Sequence, residues 1–302
     1  MKRREVLKLA ALLPLAGCAT DRTGAGGEVG AKTGQAGITT TQPTAGASGP
    51  ATESAAGASS SAPASASVSA TRSAADPVAS LSNQAPTSFG MHLPGIVDTV
   101  PTVHGSRTIA LTFDACGGET DQALIDTLRE YRVPATLFLA RPWIEAHPDA
   151  TRRLIADPLF RIENHGTRHV PLSANGQAAY GIAGTATLAE AREEIEGNAA
   201  LLQRYGVRAD WFRAGTAHYD DVALQLAEAL GVKIAGFSVN GDFGATAAAG
   251  QVAANITAAQ DGAIVLAHMN HPGSGTAAGV RQALDALSGG GVRFAFIDGT
   301  RP

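Results

Sequence analysis

From Arg107 onward the chain alternates between short apolar runs and longer stretches of helical periodicity, and that alternation restricts the fold more than any other feature. The runs at 108–113, 135–140, 160–163, 210–213, 233–238, 263–267 and 292–297 have the length of strands. Apolar residues fill successive positions in them, as expected when both faces of a sheet are covered. Between them, 120–131, 148–156, 187–205, 221–230, 247–258 and 277–287 carry apolar residues three and four apart. In 187–205 the acidic Glu190, Glu193, Glu194 and Glu196 fall on the side away from the apolar stripe, where a solvated face is expected. Gly206 and Gly231 stand where helix ends favour a residue tolerant of positive φ. Strands separated one by one by helices predict a mainly parallel sheet, either open and doubly wound or closed as a barrel.

Both architectures gather their chemistry at the carboxyl ends of the strands. Asp114 follows the first run, His165 the third, Arg213 ends the fourth, Asp242 follows the fifth and His268 the sixth. His165-Gly166-Thr167-Arg168-His169 spaces two imidazoles four residues apart, which on a helical turn sets both on one face, within reach of one zinc-like ion. Asp114 could be a metal ligand, a general base or a turn-capping carboxylate. Arg213 could hold it ionised through a charge-assisted pair, or form a structural ion pair. His268 at the rim suits a general acid, its ordinary pKa lying near working pH. Together these residue types describe hydrolysis by a metal-activated water.

The first segment reads as an address. A basic stretch precedes the apolar run at 9–16, too short to span a bilayer permanently. Arg3-Arg4-Glu5-Val6-Leu7-Lys8 resembles a twin-arginine export motif, and Leu15-Ala16-Gly17-Cys18 a lipobox. The expectation is an exported protein, lipid-anchored to the cell envelope through Cys18 (residues 1–18). Residues 19–88 are almost entirely Ala, Gly, Ser, Thr and Pro, with too little apolar bulk to offset ordering entropy, so a disordered linker of roughly 45 Å mean reach is expected. Residues 89–302 then form one catalytic domain. The net charge of −4 drops to near −7 without Lys2, Arg3, Arg4, Glu5 and Lys8, which leaves no basic surplus for a nucleic acid. No protein partner is inferred.

The order of motifs resembles the polysaccharide deacetylase family (carbohydrate esterase family four, the NodB homology domain) over about 107–297. Thr112-Phe113-Asp114-Ala115-Cys116-Gly117 stands against its Thr-Phe-Asp-Asp-Gly, and His165 to His169 against His-Ser/Thr-x-x-His. Phe212-Arg213-Ala214-Gly215-Thr216 stands against Phe-Arg-x-Pro-Tyr, Val239-Asn240-Gly241-Asp242-Phe243 against the Asp-rich motif, and Leu266-Ala267-His268 against Leu-x-His. The resemblance implies a distorted (β/α)7 TIM-like barrel and metal-dependent removal of acetyl groups from sugars of a polysaccharide or peptidoglycan. By the same resemblance Asp114 is the catalytic base, His268 the general acid, Arg213 the partner of the base and Asp242 the residue tuning His268. His165 and His169 are ligands of a divalent ion, zinc foremost. The family's third ligand falls at Ala115, so either Asp114, Cys116 or water takes that place or metal binding is weak, and the alternative for Cys116 is a small buried residue. Two further readings stay open: a hydrolase of a non-sugar C–N bond, and a glycan-binding lipoprotein without turnover.

Overall fold

The computed structural model describes residues 76–302. The expected signal segment, Cys18 and the greater part of the expected linker lie outside the described residues. The folded body begins earlier than expected. A short helix, α1 (Pro77–Leu81), buries Leu81 against α5 (Leu188–Arg204) and α6 (Asp221–Ala229). Thr87 also donates its backbone N–H to Asp221 Oδ1 at 2.9 Å. Low apolar content had hidden this segment, because one leucine and one capping aspartate, Asp76, suffice to dock it.

Short strands β1 (Phe89–Gly90) and β2 (Ile96–Val97) lead into the alternation. It runs β3 (Arg107–Ala115), α2 (Gln122–Glu130), β4 (Ala135–Leu139), α3 (Arg141–Ala146), α4 (Pro148–Ile155), β5 (Phe160–Asn164), α5 and β6 (Trp211–Phe212). After β7 (Tyr219–Asp220) and α6 come β8 (Lys233–Ala235), β9 (Val239–Asn240), α7 (Ala249–Thr257), β10 (Ala263–His268), α8 (Gly275–Leu287) and β11 (Val292–Ala295). All seven expected strand runs and six expected helices are present. Of the run 233–238 only Lys233–Ala235 is strand, and the chain bends at Ser238 before β9.

That bend shapes the sheet. The parallel path runs β2-β8-β6-β5-β4-β3-β10-β9, with β11 paired to the first half of β3. Since β8 and β9 lie toward opposite ends of the path but are joined through three residues, the sheet must curl. It forms the curled α/β half-barrel that a distorted (β/α)7 barrel implies.

Strand alternation sorts the side chains. Ile109, Leu111, Phe113 and Ala115 of β3 pack outward with Leu124, Ile125 and Leu128 of α2 and with α7 and α8. Ala110, Phe138, Ile264 and Leu266 fill a separate inner cluster. Thr112, Asp114 and His268 share the inner parity, so the polar rim stands above an apolar plug.

Starting the folded body at Phe89 would remove α1 and the Thr87–Asp221 bond, forfeiting about 2–3 kcal/mol of burial and hydrogen bonding. A chain starting at Phe89 should therefore melt roughly 5–10 °C below one starting at Asp76 in a calorimetric comparison. Equal melting temperatures would show that α1 contributes nothing.

Candidate active site

β3 and β10 deliver two titratable groups side by side, since Asp114 and His268 are register partners on adjacent parallel strands. Asp114 is 3% exposed and its Oδ1 accepts from Arg213 Nη1 at 2.7 Å. Arg213 is fully buried just beyond β6. Its remaining donors reach Thr112 Oγ1 at 2.9 Å and the Gly236 carbonyl at 3.0 Å, and its guanidinium lies 4.2 Å from the Phe138 ring centroid. Such a charge is tolerable in the interior only because so many acceptors converge on it.

On the other side, His268 Nδ1 lies 2.9 Å from Asp242 Oδ1, and the His268 backbone N–H donates to Asp242 Oδ2 at 2.7 Å. The Thr276 hydroxyl donates to the same oxygen at 2.9 Å. A carboxylate only accepts, so Nδ1 carries the proton of this bond. Burial pushes the Asp242 carboxyl up, but the facing His268 charge, its hydrogen bond and Thr276 overcome that and hold it below the ordinary carboxylate value.

The histidine pair is buried and its rings sit 4.7 Å apart. The segment is not the expected helical turn: Gly166 and His169 have φ of +93° and +60°, which no helix accommodates. The loop is instead wrapped around a buried carboxylate from α5. Glu194 accepts the backbone N–H of His169 at 2.9 Å, of Arg168 at 2.9 Å and of Val170 at 3.4 Å. Glu194 was expected on the solvated face of α5, yet it is fully buried, and burial pushes its carboxyl up against the pull of those N–H groups. A Cβ at position 166 would meet Glu194 Oε1 at 2.3 Å, which explains the glycine there. Gly215 has the same relation to His169, whose backbone lies 2.4 Å from where its Cβ would be. Asn164 and Asn198 add a second tie between β5 and α5, 2.7 Å apart.

His165 Nδ1 lies 2.8 Å from the Arg213 carbonyl, which assigns the proton to Nδ1 and turns Nε2 into the site. Asp114 Oδ2 stands 3.5 Å from that Nε2 and Cys116 Sγ 3.7 Å. Among the described residues, Cys116, His165 and His169 form a group whose ligand atoms all lie within 4.8 Å of one another, each buried. The six residues expected from sequence thus converge at one rim. Glu194, Thr276, Asn164 and Asn198 were not anticipated, and nothing local in the sequence separates them from ordinary helix and loop polar residues.

With this geometry in place, the comparisons with known proteins are specific. The family model described as polysaccharide deacetylase matches residues 102–235. A chitooligosaccharide deacetylase of Rhizobium leguminosarum bv. trifolii is 38% identical over 73 residues, 22% of this chain and 32% of that protein. An uncharacterized protein of Streptomyces coelicolor is 33% identical over 148 residues, 47% of this chain and 52% of that protein. The chain therefore spans about half the length of one of these relatives and about a third of the other. The structure of Bacillus subtilis PdaA, a family 4 carbohydrate esterase, superposes with a TM-score of 0.55 at 21% identity, over 68% of this chain and 83% of that one. A family 4 pseudoenzyme from Bacillus anthracis gives 0.56 at 17% identity, over 70% and 72%. At those identities the likeness is one of fold. Residues 102–235 are thus similar in sequence to the polysaccharide deacetylase family, and the fold is shared with family 4 carbohydrate esterases.

Two substitutions probe the supports. Glu194→Gln turns an amide toward three N–H donors and should cost about 2–4 kcal/mol of stability. Asp242→Asn should destabilise at pH 7 by about 1–3 kcal/mol. Because the folded Asp242 pKa is depressed, its contribution is present above its unfolded value and disappears as pH falls through the folded one. The difference in melting temperature should narrow below about pH 4; a difference that does not vary with pH would contradict this reading of Asp242.

Proposed function

We propose that the domain is a metal-dependent deacetylase acting on N-acetylated hexosamine units of a cell-envelope polysaccharide or of peptidoglycan. The observation that carries this reading is the register pairing of Asp114 with His268, each held by its own hydrogen-bonded partner, beside a cluster of buried imidazoles. Two buried imidazoles and a thiol suit a borderline-soft divalent ion such as zinc, which His165 and His169 would hold. When bound, such an ion polarises the amide carbonyl and lowers the pKa of its water.

The chain's own residues do the rest. Arg213 orients Asp114 through a charge-assisted hydrogen bond, so that the carboxylate can take a proton from the attacking water. His268, fixed at Nδ1 by Asp242, offers Nε2 as the donor of a proton to the departing sugar nitrogen. Transfers of this kind typically contribute about 10²–10⁴-fold each. The likeness to a chitooligosaccharide deacetylase supports the substrate class. The export and lipobox signals at residues 1–18 support an envelope site of action, with the lipid on Cys18 as anchor. A family 4 pseudoenzyme has this fold, so the fold alone does not supply turnover. The acid–base pair favours catalysis here, and a non-catalytic glycan-binding domain is the competing reading because Ala115 stands at the family's third-ligand position.

The full chain, given N-acetylglucosamine oligomers or peptidoglycan, should release acetate. Chelation should abolish release and zinc should restore it. Asp114→Asn should lower kcat by about 10³-fold or more with oligomer binding retained. Oligomer binding without acetate release under any divalent metal would replace the deacetylase with the binding domain.

A further inference from the structure

Strand parity decides what stands at the position of the family's third ligand. Asp114 faces inward, whereas Ala115 belongs to the outer cluster with Ile109, Leu111 and Phe113, against the helices. The next residue returns to the inner side, and there the chain supplies sulfur: Cys116 Sγ lies 3.7 Å from His165 Nε2. The sequence gap at Ala115 therefore lies on the wrong face to leave the site short of a ligand.

We propose that Cys116 is the third protein ligand, a thiolate in place of the family's carboxylate, completing a Cys-His-His set selective for zinc. The proposal rests on the metal-dependent reading above and extends it. Three observations support it. First, tetrahedral zinc with ordinary bond lengths separates a sulfur from a nitrogen ligand by about 3.6 Å, close to the observed 3.7 Å. His169 completes a group already within 4.8 Å, so a side-chain adjustment of about 1 Å gathers all three. Second, His165 has the arrangement a ligating histidine needs, with Nδ1 tied to the Arg213 carbonyl at 2.8 Å and Nε2 directed toward the sulfur. Third, the other departures from the family pattern serve the same cluster. Gly166 makes room for Glu194, which holds the His169 backbone, and Gly215 makes room for that backbone itself. On binding, the thiol proton leaves to solvent and the sulfur lone pair forms the bond to the ion, with no change of oxidation state. Asp114 is not needed as a ligand and stays with Arg213 for proton transfer.

The consequence is metal choice. A thiolate favours zinc and cobalt over the hard ions that a carboxylate accepts, so zinc should bind at least about 100-fold more tightly than manganese or magnesium.

Cobalt(II) is the probe. The chain has two cysteines, so in a full-length Cys18→Ser background Cys116 is the one thiol. Titrated with cobalt, that protein should develop visible ligand-field bands together with an intense near-ultraviolet thiolate-to-cobalt band. A Cys116→Ser variant in the same background should lose the near-ultraviolet band and bind cobalt about 10–100-fold more weakly. Cys116→Asp should lose the band while keeping affinity within about tenfold of the parent. Ligand-field bands without the near-ultraviolet band in the parent protein would overturn the Cys116 assignment and leave the metal-dependent reading standing. No cobalt binding at all would overturn both. The parent spectrum is decisive even if a variant fails to fold.

Discussion

A single guanidinium inside the curled sheet links most of what the site depends on. Arg213 binds Asp114 and Thr112 of β3, the carbonyl of Gly236 just after β8, and the face of Phe138 on β4, while its own carbonyl orients His165. Sealing a charge away from water costs several kcal/mol, and each of these partners offsets part of it. Removing Asp114 or Arg213 alone leaves the other charge uncompensated, so the pair specifies one arrangement of four strands as well as one orientation of the carboxylate. The same residue that orients the Asp114 carboxylate also fixes the tautomer of the imidazole beside it.

The departures from the family pattern form one coupled set. Glu194 takes the space beside Gly166 that a side chain would need, and its carboxylate replaces the helical hydrogen bonds that the 165–170 segment lacks. His169 then adopts a left-handed backbone that a non-glycine residue enters at a cost of about 1 kcal/mol or more, held there by Glu194 and by the close approach to Gly215. A carboxylate ligand at Ala115 would point into the helix-facing core, where an unpaired charge is untenable. Within this backbone, sulfur at 116 is the consistent alternative.

Much of this was legible in the order of residues. A parallel sheet covered on both faces writes its strands as uninterrupted apolar runs, so the residues that end those runs identify the rim without any structure. That is why Asp114, His165, Arg213, Asp242 and His268 could be named in advance. The lipobox and export signals lie outside the described residues. What stayed hidden depends on direction, not identity. Glu194 has glutamates one before and two after it, and only its position on the inward side of α5 distinguishes it from them. The histidine spacing suggested a helical turn, and the positive φ at Gly166 and His169 replaced that turn with a loop that still brings both rings together. Cys116 was ambiguous because a motif alignment compares positions along the chain, whereas a strand end exposes every second one.

The most direct measurement is anomalous diffraction at the zinc edge from crystals of the protein grown with one equivalent of zinc. One dominant peak is expected, bounded by His165 Nε2, His169 and Cys116 Sγ, with Asp114 still paired to Arg213 beside it. A peak elsewhere, or one that draws Asp114 away from Arg213 and leaves the sulfur apart, would contradict it.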